Sequence, residues 1–208
     1  DGIEWLLVGE PMAETAAMIS ARLPDFDSAD DLLVRLSHSS MRPVSVDLLT
    51  SGWGDDGDWD SERDGAVQLL VGFEGTAAEV GWMIDSLRRD WIESSARNVK
   101  VLEDAGTAAM WQWITELPAQ LQANLLPSKV APFLRRVTEI DPACALAAYA
   151  GDGIVRIRLS SNVAQDLPTV LATKLRPAVK ELEGHLVVLS VEPGSGLGRD
   201  DVWGSASA

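Results

Sequence analysis

The segment of the sequence that decides the fold is Val67–Trp91, which reads VQLLVGFEGTAAEVGWMIDSLRRDW. Its first part has an apolar residue at every second position from Val67 to Phe73, which is the period of a strand with one buried face. Thr76 is a favourable helix N-cap, and the apolar residues after it repeat at helical spacing: Val80, Ile84, Leu87 and Trp91. The segment therefore predicts a strand that runs directly into an amphipathic helix.

Similar periods extend outward through the first half of the chain. Alternating residues predict strands at Ile3–Leu7, Val44–Leu48 and Val99–Glu103, and helical spacing predicts helices at Pro11–Leu23 and Ser28–Leu36. Residues 51–65, rich in Gly, Asp and Trp, are predicted to form a hairpin loop. The resulting order is β-α-β-β-α-β with one extra helix after the first strand. This order is typical of a ferredoxin-like unit, an antiparallel sheet with helices on one face.

The second half of the chain repeats this order. The predicted helices are Thr107–Gln122, which Pro118 bends or ends, Ser128–Ile140, and Leu167–Leu182, which Gly184 ends. The predicted strands are Leu125–Leu126, Ala145–Tyr149, Ile154–Leu159 and Leu186–Val191. We therefore predict an α+β protein of two ferredoxin-like units, each an antiparallel sheet with helices packed on one face. The predicted boundaries are a first unit at 1–104, a linking Trp-rich helix at 105–122, a second unit at 123–193 and a flexible tail of an incomplete C-terminus at 194–208.

Composition excludes several classes of function. The 208 residues include 32 acidic and 17 basic side chains, for a formal net charge of −15. Nucleic-acid binding depends on clustered Lys and Arg, so we expect no nucleic-acid partner. No apolar run is long enough for a transmembrane segment. The lone cysteine, Cys144, excludes an internal disulfide and a Cys-rich metal site, and it favours a reducing, cytoplasmic location.

The usual signatures of catalysis are weak in this sequence. His38 and His185 lie at predicted helix ends, where a solvated side chain is expected more often than a catalytic base. The nucleotide-binding glycine motifs are missing from the sequence. The acidic loop at 55–64 does not have the spacing of an EF-hand, so we interpret it as a solvated loop. Tryptophans in predicted loops (Trp53, Trp59 and Trp203) suggest a covered surface or a partner interface, whereas those on helices are expected in the core.

Arg156 and Arg158 are the most informative charged residues. They alternate with Val155, Ile157 and Leu159 on one predicted strand, so both point away from the apolar face of the sheet. Two neighbouring guanidinium groups repel each other unless an anion, a carboxylate side chain or solvent relieves them. Two interpretations remain open: pairing with acidic side chains of the chain itself, or a site for a carboxylate ligand on the open face of the sheet.

Four short motifs occur along the chain in a characteristic order. Leu70–Thr76 contains a strand, Phe-Glu-Gly and helix element, and Leu126–Val130 contains a Pro-Ser-Lys junction between strand and helix. Ala150–Arg156 contains a Gly-Asp-Gly turn, and the strand Leu186–Pro193 is followed by Asp201–Gly204. Together these motifs resemble the C-terminal domain of FAD-linked oxidases, most closely the glycolate oxidase FAD-binding subunit, and the resemblance spans nearly the whole chain.

This resemblance implies a substrate (cap) domain that lies over the flavin of an FAD-dependent oxidoreductase and helps to enclose a small 2-hydroxy acid such as glycolate or lactate. FAD would be held mainly by a separate N-terminal FAD-binding domain, so these residues are expected to be an excised fragment that is inactive alone. Subunits of an oxidase complex are further possible partners. The substrate-binding candidates are Arg156 and Arg158, with Lys129 and Asp152 shaping the wall of the site; no catalytic residue is assigned. Related enzymes place metal-binding histidines around the Gly-Asp-Gly turn, but here those positions are Tyr149 and Arg156, so no metal is expected.

Two other classes of function remain open. Tandem ferredoxin-like units also serve as non-enzymatic modules that bind or sense small ligands. The chain could also be a scaffold subunit whose loop tryptophans contact a partner, a role compatible with the oxidase hypothesis.

Overall fold

The computed structural model describes residues 14–53, 67–190 and 197–204. The strands are β1 (Thr15–Leu23), β2 (Ser45–Leu49), β3 (Val67–Gly75), β4 (Arg97–Glu103), β5 (Leu121–Asn124), β6 (Ala145–Tyr149), β7 (Ile154–Arg158) and β8 (His185–Val188). The helices are α1 (Phe26–Ser37), α2 (Ala77–Ile92), α3 (Ala105–Thr115), α4 (Val130–Ile140), α5 (Ser161–Ala164), α6 (Leu167–Val170), α7 (Arg176–Glu181) and α8 (Arg199–Trp203). A 3-10 turn at Pro127–Lys129 leads into α4, and a π-helical turn at Leu171–Leu175 joins α6 to α7.

The strands form one antiparallel sheet of eight strands in the order β4-β1-β3-β2-β6-β7-β5-β8. Strands β1–β4 have the spatial order expected of a ferredoxin-like unit, and strands β5–β8 repeat that order in mirror direction along the sheet. The α+β class and the antiparallel arrangement predicted from the sequence are confirmed. The difference is that the two units share a single sheet, because β2 pairs with β6 at a seam.

Helices cover the two faces of this sheet unequally. The larger core lies on the face packed by α1, α2, α4, α6 and α7, which we call the helical face. The linking helix α3 packs on the opposite face, where Met110 and Ile114 join Met18, Leu49 and Leu70 in a second core. The prediction that the helices of each unit pack on one face is therefore confirmed, and the linking helix, which was predicted to lie between the two units, packs on the opposite face. In the part of the chain that is described, no helix is long and apolar enough to cross a membrane.

The segment Val67–Trp91 forms the predicted strand and helix, β3 and α2. The four alternating apolar residues of β3 belong to the core of the helical face, and Phe73 is fully buried. Thr76 begins α2 with a capping box: its hydroxyl accepts a hydrogen bond from the Glu79 backbone, and the Glu79 carboxylate accepts one from the Thr76 backbone. The Thr76 hydroxyl also donates to the Glu79 carboxylate at 2.7 Å, and this hydrogen bond, followed by the one from the Thr76 backbone, lowers the pKa of Glu79. The helix therefore begins where the sequence predicts because the unpaired N–H groups are satisfied locally.

The prediction of a helix at Pro11–Leu23 is wrong for its described part, because Thr15–Leu23 is strand β1. This strand lies between β3 and β4 and is buried on both faces from Ala17 to Ala21, so it lacks the alternation that marks a half-buried strand. The predicted first strand, at Ile3–Leu7, and most of the predicted loop at 51–65 lie outside the described residues. With β1 starting the first unit, the order β-α-β-β-α-β needs no extra helix.

Smaller differences concern the second half of the chain. Helix α3 ends at Thr115 rather than at Gln122, and the next strand is Leu121–Asn124 rather than Leu125–Leu126. After α7 the residue with the left-handed backbone is Glu183, with φ of 59°, and not Gly184. In the predicted tail at 194–208, residues 199–203 form α8, which packs against β8.

Candidate functional site

The face opposite the helical face has a covered half and an uncovered half. Helix α3 covers the half built by the first unit and the seam. In the second unit, the residues of β7, β5 and β8 that point to this side are half-buried or exposed, and no helix in the described part of the chain buries them. We call this surface the open face; its polar and half-buried residues are Arg156, Arg158, Gln122, Asn124, His185 and Val187.

Arg156 joins the open face to the end of the linking helix. Its Nη1 donates a hydrogen bond of 2.7 Å to the carbonyl of Thr115, the last residue of α3. Its guanidinium carbon lies 5.3 Å from the centroid of the Tyr149 ring, and its buried Nε has no hydrogen-bond partner among the described residues. A cation at a helix C-terminus is favoured by the unpaired carbonyl groups there. Arg156 therefore both stabilises α3 and brings positive charge to the edge of the open face.

Arg158 is held mainly by an aromatic ring. Its guanidinium carbon lies 5.3 Å from the centroid of the Trp53 ring, and its Nη1 makes a long hydrogen bond of 3.4 Å to the Trp53 carbonyl. Trp53 is itself buried, and its indole N–H is satisfied by a hydrogen bond of 3.1 Å to the Leu146 carbonyl. Each arginine donates one hydrogen bond to a carbonyl, and the bond of Arg158 is the longer and therefore the weaker of the two. The described contacts of both arginines are with carbonyl groups and aromatic rings, not with carboxylates of the chain itself.

Asp47 is a buried carboxyl group at the seam, and the sequence analysis did not select it. It lies on β2 directly opposite Tyr149 on β6, and its residue is 2% exposed. Burial, followed by the negative charge of Asp152, raises its pKa to about 7 against the hydrogen bond from Ser45. Asp47 therefore changes charge near neutral pH. The sequence does show an aspartate inside the apolar strand Ser45–Leu49. However, only the structure shows that α3 covers the sheet face to which this side chain points.

Tyr149 lies between Asp47 and Arg156. Its hydroxyl donates a hydrogen bond of 3.2 Å to the carbonyl of Ile114 in the last turn of α3. Burial is the largest cause of its raised pKa; Asp47 raises the pKa further and Arg156 lowers it. Tyr149 therefore stays protonated and acts as a hydrogen-bond donor rather than as a base.

The linking helix is also fixed to the sheet through Trp111. Its indole N–H donates to the Ser45 hydroxyl at 2.8 Å. Gly72 makes this contact possible, because a Cβ atom at that position would lie 2.6 Å from Ser45 Oγ and 2.7 Å from Trp111 Cζ2. The hydrogen bonds of Trp111, Tyr149 and Arg156 together fix the C-terminal end of α3 beside the open face.

The four substrate-binding candidates from the sequence do not all come together. Arg156 and Arg158 share the open face, as their alternation predicts. Asp152 is exposed in the turn between β6 and β7, close enough to Asp47 for its charge to raise the pKa of that carboxyl. Lys129 lies in the 3-10 turn that leads into α4, a helix of the helical face, so it is not one of the residues of the open face.

Other predicted features lie away from the open face or do not form a site. His38 caps the C-terminus of α1 and is exposed, and no group of three His, Cys, Asp or Glu side chains in residues 14–53, 67–190 and 197–204 could hold a metal ion. Cys144 is buried, which raises the pKa of its thiol to about 12. The acidic loop at 55–64 lies outside the described residues. Trp82 on α2 is 52% exposed and Trp203 is 61% exposed, so the expectation of core packing is wrong for Trp82.

A groove of about 390 Å³ lies on the helical face near the seam. One wall is α1, and the other is formed by the 3-10 turn before α4 and by the turn after β6. Its lining is mostly apolar, with Leu33, Val34, Met41 and Val46 among its residues and Asp30 as its charged side chain. Such a groove suits an apolar ligand or an apolar side chain rather than a small hydroxy acid.

The N-termini of α1 and α2 do not offer a site for the phosphates of FAD. Phosphates bind at helix N-termini whose N–H groups are free. The first turn of α1 is already capped by the Asp25 carboxylate and that of α2 by Thr76 and Glu79. The segment 191–196, which includes glycines, is not described. A dinucleotide therefore does not fit these two helix ends.

No known protein family and no curated protein sequence matches the chain. Among solved structures, the chain is similar to alkyldihydroxyacetonephosphate synthase in its P212121 crystal form, with a TM-score of 0.53 and 9% identity over 84% of this chain and 40% of that chain. The P1 crystal form of that enzyme gives a TM-score of 0.48 and 8% identity over the same shares. This chain thus spans less than half the length of the matched enzyme. At such identity the likeness shows a shared fold and nothing about the reaction.

Proposed function

We propose that this chain is the substrate-facing cap domain of an FAD-linked oxidoreductase that acts on small 2-hydroxy acids such as glycolate or lactate. FAD is held mainly by a separate N-terminal domain, consistent with the lack of fit to the capped helix ends of this chain. Two independent lines support the proposal. The sequence motifs resemble FAD-linked oxidases, and the fold is shared with alkyldihydroxyacetonephosphate synthase, an enzyme of that oxidase family.

The observation that carries the proposal is the open face with its two arginines. A sheet face without a covering helix can form one wall of a cleft against another domain, and Arg156 and Arg158 give this wall positive charge in a chain whose net charge is −15. A guanidinium group binds a carboxylate through two parallel hydrogen bonds. Arg158 binds the substrate carboxylate in this proposal, and Arg156 supplies charge and holds the end of α3. The flavin, when bound, would supply the acceptor for the hydride, which carries both electrons of the oxidation.

The first test is to purify the natural protein that contains residues 1–208 and to assay it for flavin and activity. We expect it to purify with bound flavin and to oxidise glycolate or lactate with a dye as electron acceptor. In that protein Arg158→Ala should raise the KM for the 2-hydroxy acid about tenfold or more, since a charge-assisted hydrogen bond to a carboxylate is lost. Arg88→Ala, which removes an exposed arginine from α2 on the helical face, is the matched control.

Two results would contradict this proposal. If the natural protein contains no flavin, it is not an FAD-linked oxidoreductase. If Arg158→Ala retains flavin and its KM is unchanged, the protein can still be such an enzyme, but the open face is not its substrate site.

The alternative is a non-enzymatic module that binds a small ligand. The apolar groove beside α1 is the observation that favours it. This alternative predicts that the chain binds an apolar metabolite without FAD, and that Val34→Trp, which narrows the groove, weakens the binding. If the chain also works as part of an oxidase complex, exposed tryptophans such as Trp82 are candidate contacts for the other subunits.

A further inference from the structure

Asp47 is buried more completely than a charged side chain normally allows. Its residue is 2% exposed, and none of the salt bridges among the described residues includes it. The hydrogen bond that favours its ionised form comes from the Ser45 hydroxyl, which accepts in turn from Trp111. One hydroxyl partner does not compensate for the loss of water around a carboxylate, so burial favours the neutral acid.

Asp47 is connected to the open face through Tyr149. The two residues are directly opposite on antiparallel strands, so their Cβ atoms are about 5 Å apart. The Tyr149 ring lies 5.3 Å from the guanidinium carbon of Arg156. Charge interactions are strong here because α3 excludes water from this part of the sheet. A change of charge at Asp47 is therefore felt at the open face.

The charged and titratable neighbours of Asp47 come from three places. They are Tyr149 from β6, Arg156 from β7 and Asp152 from the turn between these strands. Its other strand partner, Leu70 on β3, is uncharged. The α3 residues Trp111 and Ile114 are uncharged as well, and they hydrogen-bond to Ser45 and Tyr149, the two residues that interact with Asp47. Tyr149 is a protonated hydrogen-bond donor and Arg156 keeps its charge at every pH of interest. Asp47 is thus the group of this cluster that titrates near neutrality, and Asp152 is the exposed carboxylate that faces it.

We propose that Asp47 takes up a proton when an anion binds at Arg156 and Arg158, so that the open face binds a carboxylate together with a proton. The inference rests on the proposed function in one respect, namely that the open face binds an anion. A bound anion adds negative charge near Asp47 and stabilises its neutral form. By linkage, protonation of Asp47 must strengthen the binding of the anion by the same factor. Asp47 is a positioning and regulatory residue here, since it does not contact the ligand.

The expected consequence is anion binding that weakens as the pH rises through neutrality. The arginines do not titrate in this range, so they alone would give an affinity independent of pH. The exposed His185 lies on the same face, two strands from Arg156, so a variant of Asp47 is needed to isolate the part of the pH dependence that Asp47 causes. Between about pH 6 and about pH 8.5 we expect the Kd to increase about fivefold or more. This increase corresponds to the repulsion between the ionised Asp47 carboxylate and the bound anion if they lie roughly 8 Å apart in a medium of intermediate dielectric constant. The Kd of the chain should therefore report the charge of Asp47.

The test uses oxalate as the probe, because it carries two carboxylates and has no hydroxyl group that a flavin could oxidise. Oxalate binding to the 208-residue chain is followed by NMR through the amide signals of Arg156 and Arg158, and the ¹³C signal of the Asp47 carboxyl is followed in the same samples. We expect Asp47 to titrate near neutrality, to shift its titration upward when oxalate is bound, and to lower the affinity as it ionises. Calorimetry in two buffers that differ in ionisation enthalpy should show proton uptake near pH 7.

Two variants make the result specific. Asp47→Asn keeps the shape of the neutral acid, so its Kd for oxalate should be the same at both pH values and no proton should be taken up. Asp31→Asn removes an exposed carboxylate from α1 and should keep the pH dependence of the wild type.

Each other outcome overturns the inference. Oxalate binding without proton uptake would show that Asp47 is not coupled to the anion, while the proposed function would stand. A chain that binds no oxalate at either pH would remove the anion from the open face. The flavin content and activity of the natural protein, measured separately, would then decide the proposed function.

Discussion

The two ferredoxin-like units have the same strand order, yet one is covered on both faces and the other on one. In the first unit, α3 buries the second face, and Met18, Leu49 and Leu70 on that face are apolar. In the second unit, the corresponding face is open and carries Gln122 and Arg156. The comparison shows that the topology fixes the positions of the strands, whereas the linking helix decides which half of a face becomes core and which becomes a surface for ligands.

The difference between the covered face of the first unit and the open face of the second can be tested by shortening one aliphatic side chain on each. Leu70→Ala, under α3, should lower the free energy of unfolding by about 3 kcal/mol, since a fully buried leucine leaves a cavity. Val187→Ala, on the open face, should cost less than about 1 kcal/mol, because its side chain is only half-buried. Urea denaturation of both variants measures the difference. Equal losses would mean that the second half is covered as well.

The covered half also explains a dependence of stability on pH. The pKa of Asp47 is raised from 3.8 to about 7, so the folded state binds the proton more tightly than the unfolded chain. The stabilising contribution of the protonated carboxyl is complete below the unfolded pKa and is lost as the pH rises from about 4 to about 7. Asp47→Asn should therefore remove this loss and increase the stability at about pH 8 by about 2 kcal/mol. Denaturant titrations across this pH range test it; a variant as pH-sensitive as the wild type would contradict the assignment.

The smallest expected effect separates the two arginines of the open face. Arg156→Gln should cost about 1 kcal/mol, because the charged cap on the Thr115 carbonyl at the end of α3 is lost. Arg158→Gln should cost less, since its hydrogen bond to the Trp53 carbonyl is long. Thermal unfolding of the two variants side by side gives the ranking, and a larger loss in Arg158→Gln would reverse the assigned roles.

Much of the fold could be predicted from the sequence where periodicity and capping agree. β3 and α2 follow from strict alternation and from the capping box at Thr76, both of which are local. β1 was wrongly predicted as a helix, because a strand buried on both faces has no alternation, and its apolar residues matched helical spacing by coincidence. Helix α3 ends three residues before Pro118, which was predicted to bend or end it, whereas the predicted extension to Gln122 is wrong. That extension includes the start of β5, whose partner strands lie far along the sequence.

The candidate site was predictable in part. The alternation of β7 placed Arg156 and Arg158 on one face, and the structure confirms that placement. Asp47 could not be identified, because its importance depends on α3 and on Tyr149 across the seam, contacts between residues that are about a hundred positions apart. The separation of Lys129 from the arginines was equally hidden, because it depends on which face α4 covers.

The seam between the units matters for the aggregation of the chain whenever the two units are separated, as in an engineered fragment. It consists of three residue pairs, Asp47–Tyr149, Leu48–Ala148 and Leu49–Ala147. A fragment cut between the units would leave β2 and β6 as apolar edges with unpaired backbone groups, and such edges recruit other chains into aggregates. The natural outer edge at β4 instead carries exposed charged residues such as Arg97 and Glu103, which discourage that pairing. By pairing β2 with β6, each unit covers an edge strand of the other and so protects it from aggregation.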